Sequence, residues 1–142
     1  MYTATAARNR FVSDGVGSTP PEKLLVMLYD RLLRDLDDAG AAIGAKDVAG
    51  AHAALSHAQD IVAELHSALD PTKWQGADAM GDLYTWLADL LGQANMKKSL
   101  ALVDEARSVI APLRDTWAEA YQAVASNPAV TAAAPGGLDV AG

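Results

Sequence analysis

The chain has 142 residues, 51% of them hydrophobic and 20% charged, which suits one packed domain and rules out wholesale disorder. A formal net charge of −7 argues against nucleic acid and anionic membranes as partners. There is no cysteine, so disulfides and thiolate metal sites are excluded, and a reducing compartment is allowed.

The first residues, Met1 to Arg10, lack the apolar core of a signal peptide. No stretch approaches the ~18 consecutive apolar residues of a membrane span. A cytoplasmic protein is expected, without membrane insertion. Residues 1–19 read as a loose arm with apolar anchors at Phe11, Val12 and Val16. Thr19, Pro20 and Glu22 then form a helix start: a cap, a first-turn proline, and an acid three residues after the cap.

A first helix is predicted from Pro20 to Ile43, with Leu25, Leu28, Leu32, Leu36, Ala39 and Ile43 on one stripe. Asp47 suits the cap of a second helix, Val48 to Leu69. Its stripe of Val48, Ala51, Leu55, Ala58, Val62, Leu65 and Leu69 alternates by three and four, and Asp70-Pro71 stops it. A third helix is predicted from Ala79 to Asn95, striped by Met80, Leu83, Leu87, Leu90 and Ala94, with Asn95 suited to a left-handed cap. A fourth runs from Ser99 to Ala125, striped by Val103, Ala106, Ile110, Leu113, Trp117, Ala120 and Val124. Pro112 removes one backbone donor inside it, so a kink is expected there, or failing that a break. Residues 126–142, rich in Ala, Pro and Gly, read as a disordered tail. The fold expected is all-α: an antiparallel up-down four-helix bundle over 20–125, with an N-terminal arm and a disordered C-terminal tail.

Catalytic chemistry finds no support in the sequence. His52, His57 and His66 all fall on the second helix, and the Glu-x-x-His pairs of a di-iron bundle are missing. They read as solvated surface histidines, and Asp35, Asp37 and Asp38 as a solvated acidic face. A Gly-x-Ser-x-Gly elbow is absent, and Gly15-Val16-Gly17-Ser18 lacks the lysine of a phosphate loop. No cofactor, no metal and no enzymatic activity are expected.

Two apolar arcs are wider than the roughly 100° that a bundle core requires. On the third helix the arc from Trp86 to Tyr84 covers roughly 160°, and on the fourth the arc from Val109 to Leu100 roughly 180°. Surplus apolar flank can form a groove for a partner helix, can be covered by the arm, or can simply reflect a snug core. On periodicity alone the chain is an acidic four-helix interaction module.

Four blocks in order narrow this reading. The first is Phe11 and Val16, then Pro21-Glu22-Lys23-Leu24-Leu25-Val26-Met27-Leu28-Tyr29-Asp30. The second is Ala58-Gln59-Asp60-Ile61-Val62-Ala63-Glu64-Leu65 with Leu69-Asp70. The third is Gly81-Asp82-Leu83-Tyr84-Thr85-Trp86 with Gln93-Ala94-Asn95. The last is Leu113-Arg114-Asp115-Thr116-Trp117. Together, over about Phe11 to Ala120, they resemble the flagellar export chaperones of the FliS family.

The resemblance implies a chaperone that binds the C-terminal segment of flagellin, blocks its premature polymerisation and brings it to the flagellar export gate. It also implies an arm that covers part of the binding surface, with Phe11 and Val16 as its plugs. Phe11 stands where the family often has tyrosine, Pro20 where it has serine, Arg31 where it has glycine and Trp86 where it has tyrosine. The arc-edge residues Ile61, Leu65, Tyr84, Trp86, Leu91, Val109 and Leu113 are the expected client contacts. A monomer is expected, with a dimer as the alternative. The alternative function is a non-catalytic scaffold or regulatory bundle that binds another partner helix.

Overall fold

The computed structural model describes residues 21–70, 72 and 75–126. Phe11, Val16, the Thr19 cap and the arm expected over 1–19 lie outside the described residues, as does the tail expected over 126–142 except Ser126, which ends the last helix. Four helices follow one another: α1 (Pro21–Gly44), α2 (Val48–Ser67), α3 (Ala77–Lys97) and α4 (Leu100–Ser126). No described residue is in a strand. Each helix packs on its chain neighbours, and α4 closes the ring against α1.

Individual contacts fix the directions. Pairing α4 with α1, a Cβ on Gly40 would meet Leu100 at 3.5 Å, Arg107 reaches the Leu33 carbonyl, and Arg114 reaches Asp30. Pairing α3 with α2, Asn95 meets His52, Gly92 faces Gln59, and Gly81 faces His66. Rising numbers on one helix meet falling numbers on the other, so both pairs are antiparallel. This is the up-down four-helix bundle expected from the periodicity.

The core is the set of stripes brought together. Leu32 and Leu36 of α1, Leu55 and Leu65 of α2, Leu87 and Leu91 of α3, and Val103 and Ile110 of α4 are all buried. Each such side chain contributes about 1.5–3 kcal/mol on leaving water. Ala39, Ala51, Ala58, Ala94 and Ala106 are also buried. Small residues at those positions let the backbones approach while leucines fill the spaces between.

The helix ends follow local chemistry. Asp47 caps α2, its carboxylate accepting from the Gly50 N–H at 2.9 Å. Asp47→Ala should therefore lower the unfolding free energy by about 1 kcal/mol, read as a shift of the urea midpoint. At the end of α3, Lys98 takes the left-handed position (φ 48°, ψ 50°), not Asn95. The Asn95 side chain is used elsewhere: its Oδ1 accepts from Lys98 Nζ at 2.6 Å, and its amide meets His52 Nδ1 at 3.0 Å. α4 runs unbroken through Pro112. Pro112 is exposed, so water can reach the side of the helix where the backbone bond is missing.

Candidate partner-binding surface

Polar bonds brace three sides of the bundle. Between α1 and α2, His57 Nδ1 and Asp35 Oδ2 share a 2.5 Å hydrogen bond. Between α2 and α3 stands the His52–Asn95 bond. Between α1 and α4, Arg114 Nε donates to Asp30 Oδ1 at 2.7 Å, and Arg107 bonds both Asp37 and the Leu33 carbonyl. Asp30 beside it raises the pKa of Arg114, so the cation is held firmly. Across the middle, the hydroxyls of Tyr29 (α1) and Tyr84 (α3) lie 2.6 Å apart, and Trp117 also hydrogen-bonds Tyr29. Burial pushes both tyrosine pKa values up, so the hydroxyls stay neutral and able to donate. Tyr29 is thus a structural residue of the core, and Trp117 packs against that core.

One sequence expectation changes here. Asp35 is 2% exposed, not part of a solvated face, and sits between His57 and Arg31. The three histidines are exposed, as expected, and they also make contacts there: His57 and His52 bond to neighbouring helices, and the His66 ring lies 6.1 Å from that of Tyr84. Among the described residues, no group of three or more His, Asp or Glu could hold a metal ion. No described helix is long and apolar enough to cross a membrane.

Burial raises the Asp35 pKa; the His57 hydrogen bond, then the charges of His57 and Arg31, pull it back only in part. A carboxyl with a raised folded-state pKa adds stability below its unfolded value and loses it as pH rises through the folded value. The wild type should accordingly gain stability relative to Asp35→Asn as pH falls through the carboxylate range. Urea titrations of both proteins from neutral pH downward would show this as converging or crossing midpoints. Parallel midpoints would mean that the carboxyl is not penalised by its burial.

The fourth side, between α3 and α4, is built differently. These two helices pack less closely than the other neighbouring pairs. On α3, Gly81, Gly92 and Asn95 face α2, which leaves Leu83, Trp86 and Leu90 on the flank turned toward α4. On α4, Arg107 and Arg114 face α1, which leaves Leu102, Val109 and Leu113 on the flank turned toward α3. Trp86 is 41% exposed, while Leu83, Leu102, Val109 and Leu113 are half-buried. The two helices therefore turn apolar flanks toward their junction, a seam of which Trp86 is the most exposed member.

Three of the seven expected contact residues, Trp86, Val109 and Leu113, meet on this seam. The other four do not reach the surface. Ile61, Leu65, Tyr84 and Leu91 are buried, at 6%, 1%, 2% and 0% exposure. The arc edges of α2 and α3 were expected to face outward. In a closed ring, however, every helix touches two neighbours and faces a third across the core, which covers more than 100° of its circumference. Ile61 also lies on the flank of α2 that carries His57, toward α1 and away from the seam.

Comparison with known proteins gives the family. The sequence model of the family described as "Flagellar protein FliS" matches residues 3–124. The flagellar secretion chaperone FliS of Bacillus subtilis (strain 168) is 30% identical over 112 residues, covering 79% of this chain and 84% of the relative. The flagellar secretion chaperone FliS of Campylobacter jejuni (serotype O:6) is 29% identical over 116 residues, covering 81% and 91%. With a four-helix bundle, the ordered sequence blocks and a match spanning most of its length, this chain belongs to the FliS family of flagellar proteins.

Proposed function

We propose that the protein is a cytoplasmic, non-catalytic export chaperone whose α3–α4 seam receives the C-terminal segment of flagellin. The observation that carries this reading is the seam itself. Trp86, Val109 and Leu113, with Leu83, Leu90 and Leu102 beside them, form an elongated apolar strip of the kind that accepts the apolar face of a helix. The relatives are named flagellar secretion chaperones, which fits a protein client and a site without reactive groups. A segment that folds as it binds covers much surface at modest affinity, so it can be released at the flagellar export gate. Bound, the segment is withheld from filament assembly. Phe11 and Val16 of the arm compete for the same strip when no client is present. Deleting residues 1–18 should then speed client association and leave helix content unchanged, as followed by stopped-flow fluorescence and circular dichroism.

The direct test is calorimetric titration with a peptide of the last ~40 residues of flagellin from the same organism, with helicity followed in parallel. One-to-one binding, a negative heat-capacity change and a gain of helix are expected. No binding at tens of micromolar would remove flagellin as the client and leave an unidentified helical partner.

A further inference from the structure

One end of the bundle, where α1 passes into α2 and α3 into α4, differs in charge from the rest. Residues 40–52 and 94–103 hold three lysines, Lys46, Lys97 and Lys98, and one aspartate, on a chain whose net charge is −7. That aspartate, Asp47, is occupied in capping α2. Between the two turns lies a pit of about 180 Å³, lined by Ile43, Lys46, Asp47, Val48, Ala51 and Lys98. Val48, at its mouth, is 63% exposed.

The backbone of both turns points the same way. Lys46 and Lys98 are the described non-glycine residues with positive φ, at 58° and 48°. Left-handed positions after a helix are ordinarily filled by glycine or asparagine, because a Cβ is strained there. Cations near a helix C-terminus offset its dipole, but lysines in the last turn would do that without strain. Here the strained residues are the two that flank an apolar pit. Lys98 Nζ is steered by the Asn95 carbonyl and Oδ1, at 2.5 and 2.6 Å, while Lys46 has no ion-pair partner among the described residues.

We propose that this end of the bundle is a docking site, separate from the α3–α4 seam, for an acidic peptide segment. One leucine or phenylalanine of the segment seats between Ile43, Val48 and Ala51, and flanking carboxylates meet Lys46 and Lys98. Charge complementarity selects the occupant, since the acidic character of the remaining surface leaves this end as the place where an acidic segment is attracted. The proposal does not depend on flagellin being the client of the seam.

The test uses the full chain and a capped, fluorescent peptide of leucine and phenylalanine flanked by glutamates, with a lysine-flanked twin as control. Salt-sensitive binding of the glutamate peptide alone is expected, with amide shifts at Val48, Ala51 and Lys98. K46E/K98E should weaken it by about tenfold or more. Lys46→Gly should also weaken it while holding or raising Tm, a result that a purely structural lysine would not give. Equal binding of both peptides, no binding, indifference to K46E/K98E, or shifts confined to the α3–α4 seam would each overturn the proposal. So would a dimer in sedimentation that disappears in K46E/K98E, since a second copy would then be the occupant.

Discussion

Trp86→Ala should weaken binding of the flagellin C-terminal segment by about 2 kcal/mol, roughly thirtyfold, with little loss of protein stability. Trp86 is 41% exposed on the α4 side of α3, so its truncation removes contact area from the seam without opening a core cavity. Tryptophan also has the contact area expected of an anchor: it is large, stiff and amphipathic. Leu113→Asp, one helix away, should act in the same direction by placing a charge in the strip. Titration calorimetry reads the affinity, and urea unfolding checks that the fold is intact. If Trp86→Ala and Leu113→Asp bind as the wild type does, the seam is not the client site.

Leu91→Ala should do the opposite, costing about 2–5 kcal/mol of stability. Leu91 is fully buried and packs in the central cluster with Leu36, Leu55 and Leu87. Truncation leaves a void that rigid neighbours fill poorly. At a few degrees per kcal/mol for a domain of this size, Tm should drop by about 10–25 °C. Scanning calorimetry would measure it. Any loss of client binding in this variant should follow its unfolded fraction and vanish at low temperature, where the fold is populated. A specific loss of affinity at full folding would mean that Leu91 touches the client, so that α3 must move on binding. Leu91 and Trp86 thus separate the support of the strip from the strip itself.

Much of the architecture was legible along the chain. Stripes alternating by three and four marked every helix, because an α-helix must bury one face and the face recurs each 3.6 residues. Asp47 was readable as a cap because its side chain acts on a backbone N–H three residues away. Helix ends shifted where the deciding group was not local. Asn95, a good left-handed residue in isolation, stays helical because its amide meets His52 of α2, and Lys98 takes the turn. The C-terminal end of α3 moved by two residues and the start of α4 by one as a result.

The candidate site was legible only in part. Apolar arcs on α3 and α4 were visible as wide, and their outer residues Trp86, Val109 and Leu113 do lie along one junction. Which edge of each arc remains open depends on which side each neighbour occupies. That is set by contacts between residues far apart in sequence, such as Arg114 with Asp30 and Asn95 with His52. Tyr84, expected as a client contact, is held in the core by Tyr29, which stands opposite its hydroxyl. Asp35 stands with Asp37 and Asp38 in the sequence as one of three like carboxylates, yet it alone turns inward to His57.

The sequence by itself determined that this protein is an acidic bundle of four helices without cysteine chemistry, because helix period, capping and composition are local properties. Only the tertiary structure decided that polar ties brace three sides while the α3–α4 side stays apolar and less tightly closed, and that two left-handed lysines converge on one pit. Those features arise from the angular order of the helices around the core, which a one-dimensional stripe does not encode.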